Sequence, residues 1–249
     1  MSDLTFPTIA AIATTFFFAG LVKGVTGMGL PTVAMGVLGS LISPLTAAAL
    51  LIVPSFITNV WQLFAGPNFT SILRRLWPMM LTIIAGTILG SSFITGDNTV
   101  LTTTALGIAL AIYAIYTLFA RQFRVPPFLE KWMSPIVGAL TGIITGGTGV
   151  FVVPAVPYLQ ALGLSKDDLV QALGLSFTVS TIALAVGIGA QGAFDFEKLV
   201  VSAMAVIPAL AGMWLGQVIR DRISPATFRK GFLIFLFTLG AEMALRPFF

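Results

Sequence analysis

One basic residue, Lys23, lies deep within an apolar stretch, where a charge costs about 2.5–3.5 kcal/mol on insertion scales and is read as functional. The chemistry it suggests is the holding of an anion by an ammonium group. Lys23 belongs to the motif Gly20-Leu-Val-Lys-Gly24-Val-Thr26-Gly27-Met-Gly29, and 122 residues on the chain reads Gly142-Ile-Ile-Thr-Gly146-Gly147-Thr148-Gly149. Gly20 matches Gly142, Gly24 matches Gly146, Thr26 matches Thr148 and Gly27 matches Gly149. Thr145 takes the place of Lys23, so the two half-sites differ in charge. Paired interruptions of apolar segments point to a transporter's binding site near the midplane. Glycines allow the turn and let a ligand reach the main chain. Half-helices restarting near Leu30 and Val150 would aim free N–H groups and a positive dipole end at an anion. Thr26 and Thr148 would add hydroxyl donors. The alternative is that the glycines only let helices cross closely and that Lys23 snorkels to an interface.

Other polar residues fall on the second segment of each half. Asn59 and Gln62 follow Pro54, and Gln171, Ser176, Thr178, Ser180 and Thr181 occupy the equivalent helix. Membrane serines and threonines usually bond neighbouring groups, whereas amides seldom face lipid, so Asn59 and Gln171 are the stronger ligand candidates. The candidate anion-binding set is Lys23, Gly24, Thr26, Gly27, Gly29, Asn59, Gly146, Gly147, Thr148, Gly149, Gln171 and Thr178.

The remaining chemistry is sparse. Asp3, Asp97, Glu130, Asp167, Asp168, Asp195, Glu197 and Asp221 lie at ends or in loops. Glu242 alone is within an apolar run, one turn from Arg246, a spacing that predicts an ion pair. A relay of membrane carboxylates has little support. With no cysteine and no histidine, disulfides, thiol chemistry and the common metal and haem sites are absent. Gly146–Gly149 lacks the Lys-Ser/Thr ending of a phosphate-binding loop. We expect no enzyme, no cofactor and no bound metal.

These residues need a membrane scaffold. The chain is 57% hydrophobic and 9% charged, where a soluble domain has roughly 25% charged residues. Its mean hydropathy is +1.01. Apolar segments run over 7–42, 45–65, 76–95, 100–120, 132–163, 169–190, 198–219 and 226–245, bounded by Pro, Gly or charge. The Met-Ser-Asp start has no basic n-region, so the first run is expected to be a retained helix. In the third segment of each half, Ala85-Gly86 and Gly90 match Ala211-Gly212 and Gly216, small residues expected to let helices pack closely.

Loop charges test the topology. If 132–163 crosses the membrane once, the basic residues divide almost evenly between the two sides. If it enters and returns, Arg74, Arg75, Arg121, Arg124, Lys131, Lys166, Arg220, Arg222, Arg229 and Lys230 all lie inside, leaving Lys198 and Arg246 outside. The positive-inside bias favours the hairpin, read as two short helices meeting at depth. Each half then crosses an odd number of times. The expected fold is an all-α polytopic membrane protein of two inverted-topology repeats, 1–125 and 126–249. Each repeat has four helical segments, the first a glycine-broken, re-entrant hairpin.

Ala19-Gly20 through Gly24-Val-Thr-Gly27-Met-Gly29-Leu-Pro31, Gly142 through Gly149 with Pro154, and Ala-Gly-Met-Trp-Leu-Gly at 211–216 resemble the TauE/SafE family of membrane permeases, named for sulfite export and toluene-sulfonate uptake. The resemblance covers nearly the whole chain. It implies a multi-pass inner-membrane transporter of small sulfur-containing anions such as sulfite, sulfoacetate or another organosulfonate, with the lipid bilayer as its surroundings and no nucleic-acid partner. It leaves the anion, the direction, the coupling ion and the oligomeric state open. An anion-selective channel and a membrane scaffold without transport remain alternatives.

Overall fold

In a computed structural model, residues 6–119, 124–193, 196–220 and 222–248 are described; Asp3, Arg121, Asp195 and Asp221 lie outside them. Among the described residues the regular elements are all helical. They are α1 (Phe6–Thr26), α2 (Leu30–Leu41), α3 (Pro44–Phe64), α4 (Phe69–Ile94), α5 (Thr99–Phe119), α6 (Pro127–Thr148), α7 (Ala155–Ala161), α8 (Lys166–Ala190), α9 (Phe196–Met204), α10 (Val206–Arg220) and α11 (Pro225–Leu245), closed by a 3₁₀ turn, Arg246–Phe248.

The two glycine motifs end α1 and α6 in the same way. Gly27 and Gly149 take φ of 79° and 69°, the left-handed conformation that closes a helix at little cost only for glycine. The Gly27 amide donates to Lys23 O at 2.8 Å, and the Gly149 amide donates to Thr145 O at 2.7 Å. Thr148 Oγ1 donates to Ile144 O at 2.6 Å and accepts from the Val150 amide at 3.3 Å. Thr26 Oγ1 lies 2.9 Å from Val22 O and accepts from the Met28 amide at 3.3 Å.

Beyond the caps the motifs diverge. A new helix starts at Leu30, with Pro31 in its first turn, where a missing N–H is tolerated. The expected restart at Val150 is not found; helix resumes at Ala155. Val150, Val152 and Val153 are β-branched, and Pro154 disfavours helical backbone at the residue before it. Nor is 132–163 two short helices, since α6 has 22 residues and α7 has seven. The chain does double back. The Val125 amide donates to Ala161 O at 2.9 Å, and Ser134 Oγ lies 2.6 Å from Tyr158 Oη.

Each motif helix packs on the third segment of the other half. Gly20 and Gly24 of α1 lie against Ala209, Gly212 and Gly216 of α10. Gly142 and Gly146 of α6 lie against Gly86 and Gly90 of α4. A methyl group at Gly20 would run into Ala209 O, and one at Gly142 into Ile83 O, so backbone meets backbone as expected for small residues four apart. The residue order shows both pairs running parallel. Helices α5 and α11 run antiparallel: Leu106 and Met243 border Gly39, while Leu110 and Leu239 border Gly36.

Three further features differ from the sequence reading or extend it. Helix α4 starts at Phe69, so Arg74 and Arg75 ride on its first two turns rather than in a loop, and Arg75 pairs with Glu130 of α6 at 2.6 Å. The segment 198–219 is divided at Ala205, where Pro208 has no N–H for Met204 O. Pro54 likewise cannot donate to Leu50 O within α3. Ser202 of α9 repairs this, donating to Leu50 O at 2.7 Å and accepting from the Val53 amide at 3.2 Å.

Among the described residues, seven helical stretches are long and apolar enough to cross a membrane; of the expected segments, 132–163, now α6 and α7, is not among them. Large apolar side chains such as Trp61, Leu89, Trp132 and Trp214 face outward. The chain is a multi-pass, all-helical membrane protein. Its two ends differ in charge. Contacts among Gly27, Gln62, Arg75, Tyr113, Glu130, Tyr158, Val170 and Arg229 gather one end, which also carries Arg74, Arg124, Lys131, Lys166, Arg220, Arg222 and Lys230. Lys198 and Arg246 lie at the other end. There Arg246 pairs with Glu242 at 2.9 Å, as expected, and reaches Ser40 Oγ at 2.8 Å.

Candidate anion site at Lys23

Lys23 sits one turn before the Gly27 cap and is 4% exposed. Its ammonium donates to Thr58 Oγ1 at 3.1 Å and to Asn59 Oδ1. Both partners are on α3 and fully buried. The Thr58 hydroxyl donates onward to Pro54 O at 2.8 Å. One turn further, Gln62 Nε2 donates to Gly27 O and to Val170 O, each at 3.1 Å. Thr58, Asn59 and Gln62 share one face of α3, since residues three and four apart are neighbours on a helix. That face fixes the tip of the first motif and reaches the start of α8.

The charge is not balanced locally. Both hydrogen-bond partners of Lys23 are neutral, and no carboxylate pairs with it among the described residues. Asn59 Nδ2 has no acceptor, and Gln62 Oε1 and Ser55 Oγ have no partner either. Thr32 on α2, Thr87 on α4, Thr141 on α6 and Ser176 and Ser180 on α8 also keep unpaired buried hydroxyls. Most buried polar groups are paired, so the unspent Asn59 N–H₂ beside a lone ammonium calls for a reason. Chemically, the set offers a cation and an amide N–H₂ with unused donor capacity, the two features that an oxyanion recognises.

The other expected residues are placed as follows. Gly24 is in the α1–α10 crossing and Gly146 in the α6–α4 crossing. Gly27 and Gly149 are caps, and Gly29, at φ 103°, precedes α2. Gly147 faces Phe93. The hydroxyls of Thr26 and Thr148 are engaged with their own backbone. Thr178 Oγ1 donates to Gly174 O at 2.7 Å. Gln171 holds the α3–α4 loop: Nε2 donates to Leu63 O and Gly66 O at 2.8 and 2.7 Å, and Oε1 accepts from the Asn68 amide at 3.1 Å. Gly149 lies against Met35 on α2, and Gly27 is held by Gln62.

Thr58 and Gln62 were not among the candidates. Their signal was in the sequence, as a polar 58, 59, 62 face one turn beyond a helix proline, but which way that face turns is decided by packing.

Comparison with known proteins gives no match among curated proteins and none among solved structures. A family model described as sulfite exporter TauE/SafE matches residues 12–243, nearly the whole chain. With that extent of match, this multi-pass helical chain belongs to the TauE/SafE sulfite exporter family.

Proposed function

We propose that the chain is a secondary transporter that carries a small sulfur-containing anion, sulfite or an organosulfonate, across the inner membrane. The carrying observation is Lys23: a buried ammonium held only by neutral groups, beside an Asn59 amide whose N–H₂ is unspent. An anion seated there would neutralise the ammonium and accept from Asn59. The burial of the cluster fits an occluded state.

Alternating access would come from two inverted repeats, 1–125 and 126–249, rocking about this point. Several features support that reading. The cap geometry is repeated at Gly27 and Gly149, and the helix exchange α1–α10 and α6–α4 is reciprocal. Ser43 and Ser165 cap α3 and α8 at the spacing that separates Gly20 from Gly142. The antiparallel α5–α11 pair is what a two-fold axis in the membrane plane would generate. The pairing of Val125 with Ala161 supports a re-entrant α6–α7 unit, which leaves the basic end inside under the positive-inside bias.

The test is sulfite flux in proteoliposomes. A transporter gives saturable uptake and accelerated counterflow when the lumen is preloaded with sulfite. Flux that rises linearly with concentration and shows no counterflow would identify a channel, and no flux of sulfite or sulfonates would remove the transport reading.

A further inference from the structure

Two neighbouring cavities share Phe232, one bordered by the end of α1 with α5, α10 and α11, the other lying between α1, α2 and α11. The first, of about 290 Å³, is at the basic end and is lined by Arg220, Arg229, Thr26 and Tyr113. Arg220 closes α10 and Arg229 is in the first turns of α11, so both guanidiniums lie where helices leave the membrane. Neither has an ion-pair or hydrogen-bond partner among the described residues. The second cavity, of about 540 Å³, is apolar and runs deeper, past Phe18, Val22, Val33, Val37, Phe228 and Phe235. Phe18 and Phe235 are exposed on the outer surface, so this cleft opens sideways toward lipid. From Thr14 to Val22 it follows about 12 Å of α1, at 1.5 Å rise per residue.

We propose that this cleft is a binding site for one anionic phospholipid. Its phosphate would lie between Arg220 and Arg229, and one acyl chain would fill the apolar cleft. Guanidinium matches phosphate oxygens through paired N–H donors, and the cytoplasmic leaflet supplies anionic headgroups at that level. Charge complementarity selects this occupant over a neutral lipid or a second copy of the chain. Exposed Arg222 and Lys230 add to the same field. The site is separate from the Lys23 cluster, whose hydrogen bonds run to α3, and does not depend on what that cluster carries.

Native mass spectrometry of the purified full chain tests it, with phosphatidylglycerol and phosphatidylcholine supplied equally. The wild type retains one phosphatidylglycerol with a preference of roughly tenfold or more. The double variant Arg220→Gln, Arg229→Gln loses the preference. Gly231 lines the cleft with open space where a side chain would go, so Gly231→Leu fills it without a backbone clash and lowers retention of either lipid. Three results would overturn the proposal: equal retention of both lipids by the wild type, a preference that survives loss of both arginines, or displacement of the lipid by inorganic phosphate at low concentration, which would mark a site for soluble anions. A dimer with no bound lipid would overturn it as well, by assigning the cleft to a second copy.

Discussion

The Lys23 ammonium donates to Asn59 Oδ1 inside the bundle, and the Asn59 Nδ2 on the same amide has no acceptor. One side chain therefore orients the cation and presents an unspent donor next to it. That arrangement is not the one of a lysine that merely snorkels, whose ammonium ends in water and not against a helix.

Asn59→Asp separates these roles. The carboxylate can still accept from Lys23 but cancels its charge and has no N–H₂. Sulfite or sulfonate affinity is expected to fall at least tenfold, in line with about 1.5–3 kcal/mol for a charge-assisted hydrogen bond, while the thermal midpoint stays the same or rises. Isothermal titration with a parallel melting curve measures both.

Ser202→Ala removes the hydroxyl that serves Leu50 O and the Val53 amide in the turn before Pro54. The buried Leu50 carbonyl, which Pro54 cannot serve, loses its partner, and stability is expected to drop by about 1–3 kcal/mol. Ser92→Ala, at an exposed hydroxyl that bonds its own helix, serves as the control. Equal melting temperatures for the two variants would show that Ser202 does not support α3.

At the α1–α10 crossing, Gly212→Leu would drive a side chain into Phe17 O. Overpacking of this kind costs about 1–3 kcal/mol, read as a lower melting temperature and aggregation in detergent. Gly231→Leu, with open space around it, should leave stability intact.

The wild type has no cysteine, so single cysteines report sidedness without background. Arg124→Cys and Lys166→Cys flank the α6–α7 unit and should label from the same, cytoplasmic side, with Lys198→Cys labelling from the opposite one. Labelling of Arg124→Cys and Lys166→Cys from opposite sides would mean that this unit crosses the membrane.

Much of this architecture could be read from residue types. The positive-φ caps at Gly27 and Gly149, the close crossings at Gly86 and Gly212 and the Glu242–Arg246 pair all follow from local spacing. The burial of Lys23 follows from its distance to either end of an apolar run. What local spacing does not contain is the rotation of one helix about another. The turn of α3 toward Lys23 brought Thr58 and Gln62 into contact with the first motif, and the start of α8 turned Gln171 to the α3–α4 loop. The backbone bonds of the Thr26 and Thr148 hydroxyls have a different cause. A helix end leaves carbonyls and amides unpaired, and the nearest hydroxyl satisfies them before any ligand arrives. The late start of α7 came from three β-branched residues and a proline whose combined effect outweighed the symmetry with Leu30.

The most direct test of the central claim is the sulfite affinity of purified Lys23→Gln beside the wild type, with melting curves for both. Lys23→Gln keeps a donor for Thr58 and Asn59 but removes the charge. The expected result is a loss of at least tenfold in affinity, and of counterflow with it, in a protein that melts at or above the wild-type temperature. Wild-type affinity in a folded Lys23→Gln protein would contradict the assignment of Lys23 as the residue that holds the anion.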